Sequence, residues 1–144
     1  METSSLRQDT EHFSGHYQDP LCLPCLESAI YKLLTERNPL FNRDIVYLCI
    51  GTDRATGDCL GPLVGTRLQA LFPNVNVFGT LENPSHAINL EDVLEEICSR
   101  FFNPLIVAVD ASLGSPQRIG YINLKPGGLK PGTALRKILP TVGE

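Results

Sequence analysis

IVYLCIG, at positions 45–51, is the stretch of sequence that decides the fold. Its first six residues are all apolar and three of them are β-branched, and Gly51 ends the run. A run of this length is short for a helix, and β-branching favours a strand that is covered on both faces. The stretch therefore predicts a buried strand over 45–50.

Apolar residues recur at helical spacing before and after this strand, and further continuous apolar runs follow it. The patterns predict helices over 26–37, from about 61 to 72, and over 88–100, with strands over 75–78, 105–109 and 118–124. Strands that alternate with helices are typical of a mostly parallel sheet with right-handed crossovers. The sequence therefore predicts an α/β fold with helices on both faces of a mostly parallel sheet.

Composition restricts the class of protein. The 144 residues suggest one domain, with 42% hydrophobic and 19% charged residues, and residues 1–20 are polar without periodicity. We expect a flexible arm over 1–20 and a single domain over 21–144. A net charge of −4 without a basic tract argues against nucleic-acid binding, and the short apolar runs argue against a membrane span. The N-terminus lacks a signal pattern and the five cysteines are odd in number, which together predict a cytoplasmic location.

Two acidic residues stand where a parallel sheet places its ligands, at the carboxyl ends of strands. Asp58 lies in the glycine-containing loop that leaves the first strand, and Asp110 directly follows the strand over 105–109. If these strands are neighbours, both side chains face one crevice. A close pair of carboxyl groups shares a proton and can activate water, or it can hold a divalent metal. The alternative is structural, with Asp58 as a helix cap and Asp110 as a turn residue.

Other residues of the same loops are candidates for binding a substrate. They are Gly51, Thr52, Asp53 and Gly57 from the first loop, and His86 after the second strand. The alternative is that Asp53 and Arg54 form an ordinary exposed surface pair, and that His86 is a polar surface residue near a helix start. The glycine spacing matches no nucleotide-binding motif, and Asp58 would repel a phosphate. Cys59 has no evident base beside it, which argues against a thiol nucleophile.

A second cluster near the N-terminus has a different chemistry. Cys22 and Cys25 form a C-x-x-C pair that His12 and His16 precede, and the four residues could hold zinc or the thiols could cycle as a redox pair. The spacing is not that of a standard zinc finger, and no strand is predicted before the pair. Ordinary residues at a helix start are the alternative.

Several segments, in one order, resemble a known family. They are CIGTDRATGDCLGPLVGT at 49–66, GTLENPSHA at 79–87, VAVDASLG at 107–114, GYIN at 120–123 and LPTVG at 139–143. The chain resembles sporulation proteins of the YyaC type over roughly residues 25–144. That family is regarded as one of spore proteases, and it is similar in fold to the germination protease of spores and to the hydrogenase-maturation endopeptidases.

The resemblance implies a three-layer α/β fold of the phosphorylase/hydrolase-like kind. It also implies a peptidase-like hydrolase that acts on a protein or peptide in the cytoplasm of the forespore or in the spore interior. Asp58 matches the first functional acid of those peptidases and Asp110 the second. The germination protease uses its acids as an aspartic-type pair, whereas the maturation endopeptidases hold a metal with two acids and a histidine. His86 is the only histidine in the matched region, and its alignment does not single it out as that ligand, so no metal or other cofactor is expected.

Two further expectations follow from the resemblance. Members of the family continue beyond this point, so the chain is expected to lack a C-terminal strand and helix after Leu139–Glu144. The alternative function is that of a non-catalytic sporulation protein that binds a peptide or protein partner in the same crevice.

Overall fold

The structure is a computed structural model that describes residues 13–112 and 114–127. The described residues form a mixed α/β structure with three α-helices and two small sheets, one of them parallel. The strands are β1 (Phe13–His16), β2 (Ile45–Cys49), β3 (Asn76–Phe78), β4 (Leu105–Val109) and β5 (Tyr121–Leu124). The α-helices are α1 (Cys22–Arg37), α2 (Leu60–Leu71) and α3 (Leu90–Arg100), and short 3-10 helices cover Thr56–Asp58 and Pro116–Arg118.

The chain divides into two compact units. The described part of the first, the ribbon unit, comprises residues 13–41 and 114–126. The described part of the second, the parallel-sheet unit, comprises residues 42–112 and 127. The single domain expected over 21–144 remains a prediction.

The parallel-sheet unit contains three strands in the order β3-β2-β4, all parallel. The central strand is β2, as the apolar run predicts, and its Val46 and Leu48 side chains are completely buried. They form the core with Leu90 and Ile97, two buried residues of α3 that lie two turns apart on one face. The parallel pairing of the strands predicted over 45–50, 75–78 and 105–109 is therefore confirmed.

Two glycines allow α2 to approach the sheet closely. Gly61 and Gly65 are both buried and lie one helical turn apart. A Cβ atom at Gly61 would collide with the backbone of Ile50, and one at Gly65 would collide with the carbonyl oxygen of Gly79. Because backbone atoms cannot move aside as the tip of a side chain can, the absence of a side chain at these positions fixes α2 against the ends of β2 and β3.

The ribbon unit corrects two expectations. Residues 13–16 belong to the segment predicted as an arm, yet they form β1, which pairs antiparallel with β5. The strand predicted over 118–124 was expected in the mostly parallel sheet, but β5 lies in this separate two-stranded sheet. The strand also starts later, because Pro116 begins a 3-10 helix. The strand that pairs with β1 is distant in sequence, so the residues around positions 13–16 do not indicate the pairing.

The first helix begins earlier than its apolar stripe indicates. The prediction places its start at Leu26, whereas α1 begins at Cys22 and takes Pro24 into its first turn. Proline is tolerated there because the first backbone N–H groups of a helix have no intrahelical acceptor. The helix ends at Arg37, and Asn38 donates its backbone N–H to the carbonyl of Leu34, 2.9 Å away.

No helix in residues 13–112 and 114–127 is long and apolar enough to cross a membrane. Several expectations fall outside the described residues. They concern His12, the first part of the arm at 1–12, Leu113, and the segment 128–144 with its LPTVG motif.

Candidate functional site

The carboxyl end of β2 is held between the ends of two other segments. Ile50 donates its backbone N–H to the carbonyl of Val109 at 2.8 Å, and Gly51 donates its own to the carbonyl of Ser85 at 2.8 Å. The end of β4 therefore lies on one side of β2, and the loop that follows β3 lies on the other. This arrangement brings the loop after β2, Asp110 and His86 to one edge of the sheet, as expected from the carboxyl-end rule.

The loop after β2 folds back on itself and buries Asp58. Thr52 donates its backbone N–H to the carbonyl of Asp58 at 2.9 Å, and Asp58 donates its own to the carbonyl of Ala55 at 2.9 Å. Gly51 has a φ of 145°, and a Cβ atom there would collide with the carbonyl oxygen of Asp58. Only glycine fits such a position without strain. As a result Asp58 is 6% exposed.

Asp58 and Asp110 leave adjacent parallel strands, since Cys49 in β2 is the register partner of Val109 in β4. The Oδ1 atom of Asp110 is buried. Burying an ionised carboxyl group is costly unless other groups hydrogen-bond to it or pair with it. The N-cap residue of α2 is Cys59, without a side-chain cap, so Asp58 is not in the capping position proposed as its structural role.

His86 is half-buried, and its ring is oriented by its neighbours. Its Nδ1 accepts the backbone N–H of Ile88 at 3.2 Å, and its own backbone N–H donates to Asn89 Oδ1 at 2.7 Å. Asn89 in turn donates through Nδ2 to the carbonyl of Pro84 at 2.9 Å. A neutral imidazole that accepts at Nδ1 carries its proton on Nε2, so the other side of the ring is a hydrogen-bond donor.

The remaining loop candidates form the exposed part of this edge. Asp53, Arg54 and Gly57 are exposed, and a Cβ atom at Gly57 would meet no atom within 4 Å. Thr52 Oγ1 accepts the backbone N–H of Arg54 at 3.2 Å. Within residues 13–112 and 114–127, no ion pair joins Asp53 to Arg54, so these charged side chains extend into solvent from the tip of the loop.

The cysteine–histidine cluster is not assembled as a metal site within the part of the chain that the structure describes. No group of three or more His, Cys, Asp or Glu residues there could hold a metal ion. His16 is engaged by its own surroundings, because its Nδ1 accepts the backbone N–H of Gln18 and its ring packs on Tyr17 and Tyr121. Cys22 is buried and Cys25 is exposed, and all five cysteines are free thiols.

Sequence reasoning missed a cleft beside this edge. It has a volume of about 550 Å³ and lies between α3 and the loop that follows β3. We call it the acidic cleft, since its lining includes Glu82, Asp92 and Glu96. Two hydroxyl residues, Thr80 and Ser85, are buried in its wall. The motif GTLENPSHA contains three of these five residues, but nothing in its pattern indicates that they face α3.

The fold and this edge define the chain as an α/β protein with a parallel sheet whose carboxyl end carries two acidic residues with buried atoms. The chain belongs to the family described as "Protein of unknown function (DUF1256)", which it matches over residues 15–144. It is also 46% identical over 103 residues to the "Uncharacterized protein YyaC" of Bacillus subtilis (strain 168). It is thus a YyaC-type protein.

That alignment covers 71% of this chain and 50% of the relative, so the chain spans about half the length of the curated relative it matches. No solved structure matches the chain.

Proposed function

We propose that the protein is a peptidase-like hydrolase in which Asp58 and Asp110 activate water against a peptide carbonyl. The observation that supports this proposal is the adjacency of β2 and β4, whose carboxyl ends lead into these two acids, with Asp58 buried and Asp110 Oδ1 buried. Acids with buried atoms at the ligand-binding edge of a parallel sheet are candidates for a catalytic site.

The chemistry requires the pair to hold one proton. The ionised carboxyl group takes a proton from water as the oxygen attacks the carbonyl carbon, and the protonated one supplies a proton to the carbonyl oxygen or the leaving amine. When the C–N bond breaks, the water has supplied a hydroxyl group to the new carboxyl terminus and a hydrogen to the new amine. His86 Nε2–H is a donor for the substrate backbone. The loop residues Gly51, Thr52, Asp53 and Gly57 would contact the peptide on its exposed side.

The proposal extends to the finer expectations that the family resemblance implies. They are the three-layer arrangement of the germination protease and the maturation endopeptidases, a metal-free aspartic-type pair, and a location in the cytoplasm of the forespore. The chain's membership in a YyaC-type family supports these points, and the buried acids supply the chemistry.

A test of the pair compares Asp58→Asn, Asp110→Asn and the double variant on a library of fluorescence-quenched decapeptides. Both single variants should lose measurable cleavage, and the double variant should be no worse, since residues that act in one step are not additive. The matched control is Asp44→Asn, an exposed aspartate beside the amino end of β2, which should keep full activity. Partial losses that add up in the double variant would contradict a paired mechanism.

A second candidate function is peptide or partner binding without cleavage, and the acidic cleft favours it because clefts of this volume commonly bind ligands. Under this alternative, the same peptides bind to the wild-type chain and remain intact. Asp58→Asn and Asp110→Asn would then leave turnover absent in all forms, which distinguishes binding from hydrolysis.

A further inference from the structure

The acidic cleft carries an uncompensated negative charge. Of its described lining residues, Glu82, Asp92 and Glu96 are acidic and Arg100 is basic. Arg100 Nη1 lies 3.5 Å from Glu96 Oε1, so these two charges offset each other. Glu82 and Asp92 form no ion pair among the described residues. The cleft therefore attracts a cation from solution.

The wall of the cleft also contains a hydroxyl group that can form a hydrogen bond with a ligand. Ser85 is 2% exposed and lines the cleft, and its hydroxyl makes no hydrogen bond within residues 13–112 and 114–127. Thr80, its neighbour in the wall, already accepts the backbone N–H of Asn83 through Oγ1 at 2.9 Å. A hydroxyl oxygen has two lone pairs, so a donor group that enters the cleft can form a hydrogen bond with Ser85.

The chain itself places a guanidinium group at one end of the cleft. The Cζ atom of Arg100 lies 5.3 Å from the ring centroid of Phe78 and 5.4 Å from that of Phe101. The two aromatic faces and the Glu96 carboxylate together bind the cationic guanidinium group of Arg100. Apolar wall residues such as Val77, Pro84 and Val93 can contact the aliphatic part of a long basic side chain. The same combination suits a lysine or arginine side chain of a ligand.

The position of the cleft relates it to the acid pair. The cleft lies at the carboxyl end of β3. The backbone carbonyl of Ser85, a residue of its wall, accepts the backbone N–H of Gly51, which follows β2. Strands in a sheet are roughly 4.8 Å apart, so the ends of β3 and β4 are separated by roughly 10 Å. An extended peptide advances about 3.3 Å per residue, so it covers this distance in about three residues.

We propose that the acidic cleft binds a lysine or arginine side chain of the peptide substrate, about three residues from the bond that is cleaved. This assignment rests on the proposed function for its relation to a scissile bond, whereas the recognition of a cation rests on the cleft alone.

The first experiment measures binding to the Asp58→Asn/Asp110→Asn chain, which should not cleave. The probes are the heptapeptide acetyl-Ala-Ala-Ala-Lys-Ala-Ala-Ala-amide and the same peptide with norleucine in place of lysine. We expect the lysine peptide to bind about tenfold more tightly, with an advantage that falls as salt rises. Glu82→Gln/Asp92→Asn, made in the same background, should remove that advantage.

A matched control is available on α3. Glu91→Gln/Glu95→Gln removes the same number of charges from exposed positions outside the cleft, and Glu91 shares the first helical turn with Asp92. The control should keep the preference for lysine. Equal binding of the two peptides to the parent chain, or equal loss of preference in the control and cleft variants, would overturn the assignment.

The second experiment follows cleavage of a lysine-scanned decapeptide series by the wild-type chain, with products identified by mass spectrometry. Cleavage at a constant distance of about three residues from lysine would support the full proposal. Selective binding of lysine without any cleavage would refute hydrolysis and leave the cation site in place. Cleavage that is indifferent to the position of lysine would refute the assignment of the cleft and leave hydrolysis in place.

Discussion

Replacing Gly61 by alanine tests the close approach of α2 to the sheet. The added Cβ atom would meet the O, C and N atoms of Ile50, all of them backbone atoms of the residue at the end of β2. Ordinary van der Waals contact would require the helix to retreat by roughly an ångström. Overpacking of this kind typically costs about 1–3 kcal/mol, and we expect the upper end because no flexible side chain can yield.

Gly57→Ala is the matched control. Gly57 lies four residues earlier, in the short 3-10 helix that precedes α2; it is exposed, and a Cβ atom there meets nothing within 4 Å. Its replacement should leave stability unchanged or raise it by up to about 1 kcal/mol, because alanine reduces the freedom of the unfolded chain.

Urea unfolding monitored by circular dichroism measures both changes. With a urea dependence of about 2 kcal/mol per molar, a loss of about 3 kcal/mol lowers the midpoint for Gly61→Ala by roughly 1–2 M. The midpoint for Gly57→Ala should stay within about 0.5 M of the wild type. If both variants unfold at the same urea concentration, Gly61 does not hold α2 against the end of β2, and the account of how this helix packs on the sheet fails.

Four other predictions concern the core and the cysteines. Leu48→Ala should cost about 2–5 kcal/mol in the free energy of unfolding because Leu48 is completely buried, whereas Leu63→Ala, at a half-exposed position, should change it by about 0.5 kcal/mol; urea midpoints compare the two. Burial raises the pKa of the Cys49 thiol from 9.0 to about 11, so iodoacetamide at pH 8 should modify exposed Cys98 and spare Cys49 until urea unfolds the chain. The raised pKa of Cys49 favours the folded state only while the thiol is protonated, so its contribution to the free energy of unfolding should be fully present below pH 9. Between pH 9 and 11 the free energy of unfolding should fall by up to about 1.4 kcal/mol per pH unit. Cys49→Ala should make this decline less steep. Finally, elemental analysis should find no stoichiometric zinc; one zinc per chain that is lost in Cys22→Ser would contradict the lack of a metal cluster among the described residues.

The parallel sheet could be predicted from sequence because each strand carries its own signal. The runs over 45–50 and 105–109 are continuous and apolar, a pattern that reflects burial on both faces. The third helix was also marked locally, by an apolar stripe that includes Leu90 and Ile97, and its observed start lies two residues after the predicted one. In these elements, the local sequence pattern is enough to indicate which residues are buried.

The ribbon unit could not be predicted in the same way. Phe13–His16 has no alternating pattern, and its strand geometry depends on its pairing with β5. Leu23 and Tyr31, two large apolar residues of α1, are 72% and 69% exposed, so hydrophobicity alone misleads about which face of this helix is covered. The pairing of two strands that are distant in sequence depends on tertiary structure, and a local sequence pattern does not indicate it.

The candidate site was predictable in part. The carboxyl-end rule selects the loops that hold Asp58 and Asp110, and the glycines of the first loop mark a turn. The depth of Asp58 depends on the positive φ of Gly51 and on the hydrogen bond from Thr52 to the carbonyl of Asp58, and neither is encoded by spacing. The acidic cleft escaped prediction because it joins residues of a loop to those of a helix face.

The pairing of β1 with β5 has a consequence for how the protein is made. Ser14 Oγ donates a hydrogen bond to Asn123 Oδ1, and these two residues are 109 positions apart in sequence. A ribosome that adds about 5–20 residues per second needs roughly 5–20 s to produce the second strand after the first. During that interval the backbone of β1 lacks the partner that it will finally have, whereas β2, α2, β3, α3 and β4 are synthesised consecutively within it. The nascent chain can therefore form its parallel sheet before its ribbon, and the first strand is the segment that a ribosome-bound chaperone has most time to meet.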